Sequence, residues 1–315
     1  MTTDQAPLDF SIVIPVYFNE GSLSATMDKI KSEVLAAGTW KSEVIFVDDG
    51  SGDGSLNELL GICRANPGLV KVIKFTRNFG QVQALMAGYN LARGKCVISL
   101  SADGQDPVNL INDMLKAHFE ERCEIVICAR EGRDESAYRI WTSRLFYALM
   151  RVLGFGNMPP GGFDYVLLGR KAVDAILRNR EAHPFWQGQI LWTGFKPKII
   201  PYHRLQRTTG KSRWSFGRKL TYLLDGILSY SFVPIRLMSL AGIAVAFSGF
   251  LYAALILILR LLGGIPVQGW APLMIIVLVI GGFQMLMLGI IGEYVWRTLA
   301  QSRQRAPYVI EEIFN

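Results

Sequence analysis

The chain is poor in cysteine, and it has no glycine fingerprint where a dinucleotide-binding protein would carry one. Its four cysteines (Cys63, Cys96, Cys123 and Cys128) stand among 315 residues without C-x-x-C spacing, mostly in apolar surroundings. That pattern excludes a disulfide framework and predicts buried thiols in a reducing compartment. No G-x-G-x-x-G follows the first apolar run at residues 10–17, so a Rossmann dinucleotide site is absent where it should be. The first five residues lack both a basic stretch and an apolar one. No cleaved signal peptide is expected, and the soluble domain is expected to stay in the cytoplasm. The 33 Lys+Arg against 26 Asp+Glu give a formal net charge of +7, yet the basic residues form no dense stripe. Nucleic acid is therefore not the expected partner; cytoplasmic loops beside anionic headgroups are, with scattered solvated lysines making up some of the excess.

What the sequence does have is unevenly spread. Hydrophobic residues make up 50% and the mean hydropathy is +0.26, with the excess in the last third. Before about residue 230, apolar and charged segments alternate as in a soluble domain large enough to bury its own core. Residues 238–259 and 272–292 are then two uncharged stretches long enough to cross a bilayer. Their connection is short and uncharged, and most flanking arginines lie on the other side, which predicts a hairpin with both ends cytoplasmic.

Ahead of those stretches a single pattern recurs: an apolar strand, a polar or acidic turn, a helix. Residues 10–17 end in Phe18-Asn19-Glu20, before a helix expected over 22–36. Residues 44–47 end in Asp48-Asp49-Gly50-Ser51, a pair of carboxylates able to hydrogen-bond a base and ribose, or an ordinary solvated turn. Residues 70–75 lead to a helix over 82–92, with Gly94 expected as its terminator. Residues 97–100 run into Ser101-Ala102-Asp103-Gly104-Gln105-Asp106-Pro107. Asp103 and Gln105 there would offer hard oxygen ligands to Mg²⁺ or Mn²⁺ at a strand's open end, although the same residue types also make a plain turn. A fifth strand over 124–129 ends in Arg130, and Asp164 precedes a sixth apolar stretch. Short strand–helix connections imply right-handed crossovers and a mainly parallel α/β sheet. Residues 138–152 and 215–230 mix basic and aromatic side chains as helices lying on a membrane surface do, and an ordinary packed helix would also explain the first.

Assembled, these motifs resemble the polyprenyl-phosphate glycosyltransferases, family-2 enzymes of GT-A fold. The resemblance runs from Ser11 to about Tyr308 and implies four segments: a cytoplasmic GT-A domain over 1–214, an interfacial helix over 215–235, a transmembrane hairpin over 236–298 (about 238–260 and 272–293) and a cytoplasmic tail over 299–315. It places Pro15, Tyr17, Glu20, Val47, Asp49 and Ala102 around the nucleotide sugar, and Arg130, Arg207 and Arg213 on its phosphates. Asp103 and Gln105 become metal ligands, while Arg139, Ser143 and Ser212 fall near the lipid phosphate. Asp164, Asp103, Arg207 and Arg213 are the implied catalytic set. Two positions depart from the family pattern: Ser101 stands where an acid is usual, and Val166 where an arginine is. The implied reaction is inverting transfer from a nucleotide sugar, UDP-glucose first, with UDP-amino sugars, UDP-aminoarabinose or GDP-mannose as alternatives. The acceptor is undecaprenyl phosphate at a bacterial inner membrane, and such hairpins often form homo-oligomers. A polysaccharide synthase is disfavoured because the stretch Gln187-Gly188-Gln189-Ile190 and Trp192 lacks the arginine of Gln-x-x-Arg-Trp.

Overall fold

A computed structural model describes residues 8–36, 38–130, 158–159, 162–179, 181, 184–203, 233–262 and 270–315. Its core is an 8-stranded sheet: β1 (Leu8–Val16), β2 (Ser42–Asp48), β3 (Val70–Phe75), β4 (Gly94–Ser99), β5 (Ile125–Arg130), β6 (Tyr165–Gly169), β7 (Pro197–Tyr202) and β8 (Ile310–Phe314). The order across the sheet is β7-β5-β6-β4-β1-β2-β3-β8. Strands β3, β2, β1 and β4 run parallel, β6 is antiparallel to both β4 and β5, and β8 is antiparallel to β3. The central strands are apolar on both faces because both faces are covered. Helices α1 (Leu23–Ile30), α2 (Ser55–Ala65) and α4 (Leu110–Phe119) bury Leu23, Met27, Leu59, Ile111 and Leu115 against Ile12, Ile14, Phe46 and Ile98. Each such side chain contributes about 1.5–3 kcal/mol. On the opposite face α3 (Gln81–Leu91) packs so closely on β1 that a methyl at Gly88 would strike Val13. The same layer holds α5 (Arg170–Arg178), and α6 (Trp186–Trp192) follows it.

The helix expected over 22–36 is found over residues 23–35, α-helical to Ile30 and closing with a π-helical turn at Lys31–Leu35. Two expectations are corrected. Gly94 opens β4 and does not cap α3; the chain is already extended at Ala92, and Gly94 is required because a Cβ there would enter the backbone of Phe10 and Ser11 on β1. The expected tail is not a free end: Ile310–Phe314 adds β8 to the sheet, with Tyr308 stacked on Phe75 at 5.3 Å.

Residues Leu224–Gln304 form a second compact unit. Its described helices are α7 (Val233–Leu261) and α8 (Trp270–Ser302). They are antiparallel, since Ile235 and Met238 of α7 line one groove with Thr298 and Leu299 of α8. Both are long and apolar enough to cross a membrane, with a mean hydropathy of 2.0 over Ile235–Ile256. Large apolar side chains such as Phe247, Phe250, Leu273 and Met285 are exposed around them, as on a helix that meets lipid. The expected surface helices at 138–152 and 215–230 lie outside the described residues.

Candidate active site

The order β3-β2-β1-β4 reverses direction between β1 and β4, and at such a switch point the loops after the two strands diverge and leave a crevice. Ser22 and Ala102 span its base, the Ser22 hydroxyl donating to the Ala102 carbonyl at 3.1 Å. On the β1 side, residues 17–22 are strapped down by the turn after β2. Phe18 sits at φ +56, and its N–H donates to Ser51 Oγ at 3.1 Å. The N–H of Asn19 donates to Ser55 Oγ at 2.9 Å. Glu20 lies over the start of α2, accepting from the Gly54 N–H at 2.9 Å. Tyr17 caps the end of β1, its N–H donating to Asn19 Oδ1 at 3.0 Å. Asp49 is 2% exposed; its two oxygens accept from the N–H groups of Phe79 (2.6 Å) and Gly80 (2.9 Å), tying β2 to the turn before α3. Burial pushes its carboxyl up to about 6, against the pull of those two donors. Asp48 is also raised by burial, and it accepts from the Ser51 N–H at 3.2 Å. Val47 is fully buried, with its backbone in register between Pro15 and Ile73, so its side chain belongs to the core.

On the β4 side, Asp103 Oδ1 accepts from the Ser101 hydroxyl at 2.9 Å and from the Gln105 N–H at 3.2 Å, around Gly104 at φ +66. Ser101, in the place of the usual acid, therefore serves the remaining carboxylate as a donor. The set is all oxygen, the class that suits Mg²⁺ or Mn²⁺, but it brings one negative charge. Among the described residues no group of three or more His, Cys, Asp or Glu could hold a metal alone. The residues fit such an ion only if diphosphate oxygens and water complete the coordination.

Farther across the sheet, Arg130 at the end of β5 makes an ion pair with Asp164 just before β6, Nη2 to Oδ2 at 2.7 Å. Gln187 of α6 donates to the Phe163 carbonyl at 3.0 Å and to Asp164 Oδ1 at 3.3 Å. Arg130 Nε reaches the Tyr202 hydroxyl at 3.4 Å, and that hydroxyl donates to Asp106 Oδ1 at 2.6 Å. Burial alone would lower the Arg130 guanidinium, but Asp164, with Tyr202 and Asp106, holds it above its ordinary value. Burial and the neighbouring Asp106 push the Tyr202 phenol up, so it remains a donor.

Of the residues named from sequence, Pro15, Tyr17, Glu20 and Asp49 gather on one side of the crevice, Ala102, Asp103 and Gln105 at its centre, and Arg130 with Asp164 on the other. Arg139, Ser143, Arg207, Ser212 and Arg213 lie outside the described residues. Val166, where the family pattern has arginine, is fully buried in β6 between Ser99 and Ile127, a place with no room for an unpaired cation. Sequence reasoning does not single out Asp106, Tyr202 or the contact made by Gln187. Asp106 directly follows the metal-type motif, and that position is its only signal.

The family model described as glycosyl transferase family 2 matches residues 11–177. The chain is 34% identical over 309 residues to an uncharacterized glycosyltransferase, YkcC, of Bacillus subtilis (strain 168), covering 98% of this chain and 95% of that one. It is 30% identical to the bactoprenol glucosyl transferase of Shigella phage SfV, covering 96% of this chain and 98% of the relative. Among solved structures it resembles glucosyl-3-phosphoglycerate synthase from Mycobacterium tuberculosis, crystallised with Mn²⁺, UDP and glucosyl-3-phosphoglycerate. There the TM-score is 0.50 at 16% identity, over 71% of this chain and 80% of that one.

Proposed function

This chain belongs to glycosyl transferase family 2 and is a glycosyltransferase, and from that premise we propose that it transfers glucose from UDP-glucose to undecaprenyl phosphate at the cytoplasmic face of a bacterial inner membrane. The observation that carries the reading is the crevice itself. A carboxylate loop at the switch point is linked through Asp106 and Tyr202 to an Arg130–Asp164 pair, in a chain that also has two helices long and apolar enough to cross a membrane. The phage relative's name supplies the acceptor class and the sugar.

A polyprenyl phosphate monoester has a second pKa of about 6 and is largely dianionic at neutral pH. It needs little help from a base. The harder task is to hold two anions in line for attack at the anomeric carbon. Arg207 and Arg213 are assigned to the donor diphosphate, and Arg139, Ser143 and Ser212 to the lipid phosphate. Asp164 orients the acceptor or takes a residual proton; Arg130, expected with Arg207 and Arg213 on the donor phosphates, is instead engaged by Asp164 at 2.7 Å and offsets its charge. Mg²⁺ or Mn²⁺ held by Asp103 and Gln105 would supply further neutralisation of the leaving diphosphate. Attack opposite the leaving group inverts the centre, so an α-linked donor gives a β-linked lipid-phosphate sugar. The chain leaves the sheet before α7 and rejoins it through β8 after α8, and this return supports a hairpin with an even number of crossings.

The test is transfer of labelled sugar from a panel of nucleotide sugars to undecaprenyl phosphate by the wild type and by Asp103→Asn. A loss of about 100-fold or more is expected, the scale seen when one charge-stabilising group is removed. Unchanged transfer would exclude Asp103 from the reaction, and a wild type that binds no nucleotide sugar would instead be a membrane scaffold.

A further inference from the structure

The loop after β4 is fastened to the far side of the sheet at two successive residues. Asp106, 3% exposed, accepts from the Tyr202 hydroxyl at the end of β7. The carbonyl of Pro107 accepts from the Tyr165 hydroxyl at 3.1 Å, and Tyr165 directly follows Asp164. The two tyrosine rings meet edge to face at 6.1 Å. The same Tyr202 oxygen lies 3.4 Å from Arg130 Nε, and Arg130 in turn holds Asp164. Three charges, two negative and one positive, are thus joined: Asp106 and Tyr202 are buried, Arg130 is mostly covered, and Asp164 at the end of the chain of contacts is exposed, so the buried part of the network fixes the geometry of a carboxylate that solvent and ligands can reach.

Resting on the function proposed above, we propose that Asp106 and Tyr202 are positioning residues. They hold the Arg130–Asp164 pair at the acceptor side and tie it to the loop that carries Asp103 and Gln105. Neither need touch substrate. Asp106 fixes the rotation of the Tyr202 hydroxyl, the phenol oxygen fixes the Nε edge of Arg130, and the Nη2 edge then presents Asp164 at one angle. Gln187 completes the set from behind by holding the other oxygen of Asp164. Asp164 holds Arg130 directly and Asp106 holds it through the Tyr202 hydroxyl, so loss of that hydroxyl leaves Arg130 fixed from one side only.

The test compares the full-length wild type with Tyr202→Phe, Asp106→Asn and the double variant. It reads initial rates against undecaprenyl phosphate, the equilibrium dissociation constant for the nucleotide sugar, and the thermal midpoint. Tyr202→Phe keeps the ring against Tyr165 and removes only the hydroxyl. Each single change is expected to lower kcat/KM for the lipid by about tenfold or more while donor affinity moves less than about threefold; the double variant is expected to be no worse than the worse single, as for residues acting in series. Unchanged rates in the folded variants would overturn the proposal. So would a fall in donor affinity and thermal midpoint that tracks the loss of rate, because bracing of the fold alone would produce that pattern. Wild-type transfer to the lipid is measured first, so that an inactive wild type counts against the function and an active wild type with unaffected variants against this inference alone. If Tyr202→Phe does not fold, Asp106→Asn, which preserves shape, decides by the same readings.

Discussion

The two sides of the crevice are built by different means. On the β1–β2–β3 side, carboxylates and hydroxyls accept from backbone N–H groups: Asp49 from Phe79 and Gly80, Glu20 from Gly54, Ser51 from Phe18, Ser55 from Asn19. On the β5–β6–β7 side, charged and phenolic side chains bind each other: Asp164 to Arg130, Arg130 to Tyr202, Tyr202 to Asp106. The first arrangement fixes loop shape and the second fixes functional groups. Backbone-held turns therefore suit a rigid cradle for a nucleotide, and a side-chain network suits the place where charge must be aimed.

The backbone-built side is most vulnerable at Gly50. Its φ is +68, and a Cβ there would lie 2.6 Å from the Arg77 carbonyl carbon, against main chain that cannot move aside. Gly50→Ala is expected to cost about 2–4 kcal/mol of stability, from strain plus a displaced turn. Denaturant unfolding checks this. A cost under about 0.5 kcal/mol, the range of an ordinary surface change, would show that backbone approach does not hold this side.

The same contrast governs what is legible in the sequence. Asp49 and Asp103 can be placed because each ends a strand and opens a turn, a local pattern with a fixed consequence. The partnership of Tyr202 with Asp106 spans 96 residues, and no periodicity reports it. Strand β7 itself is hidden: Pro197-Lys198-Ile199-Ile200-Pro201-Tyr202 carries a proline near each end, which argues against an interior strand. It is tolerated because β7 is the sheet's edge. Strand β8 reads as tail because two of its five residues are glutamates; they suit the opposite edge, where Glu311 meets Lys74 at 2.8 Å. Gly94 reads as a helix terminator because its true reason is contact with β1, which a linear reading does not contain.

A smaller effect on the same side depends on pH. Burial raises Asp49 from 3.8 to about 6, so between those values the folded chain binds more protons than the unfolded one. The contribution of this group to stability is therefore greatest below about pH 4 and is lost as pH rises through 6. Asp49→Asn cannot titrate. Relative to wild type it is expected to gain on the order of 2 kcal/mol between about pH 4 and pH 7, although it loses one acceptor for the Phe79 and Gly80 N–H pair. Thermal midpoints measured across that range check the sign, and a constant difference between the two proteins would show that the carboxylate is not desolvated.

The smallest effect falls on Glu20, which the family resemblance assigns to the donor pocket and the structure places over Gly54. It is exposed and its carboxylate accepts from one backbone N–H, so Glu20→Ala is expected to cost about 0.5 kcal/mol of stability. What it does to donor affinity separates the two roles. A brace that only steadies the start of α2 changes the nucleotide-sugar dissociation constant by less than about threefold, whereas a group that hydrogen-bonds the nucleotide costs about tenfold or more. The second result would mean that a side chain on the backbone-built side also touches ligand, and the division between cradle and aimed charge would then hold for Asp49 but not for the whole of its side.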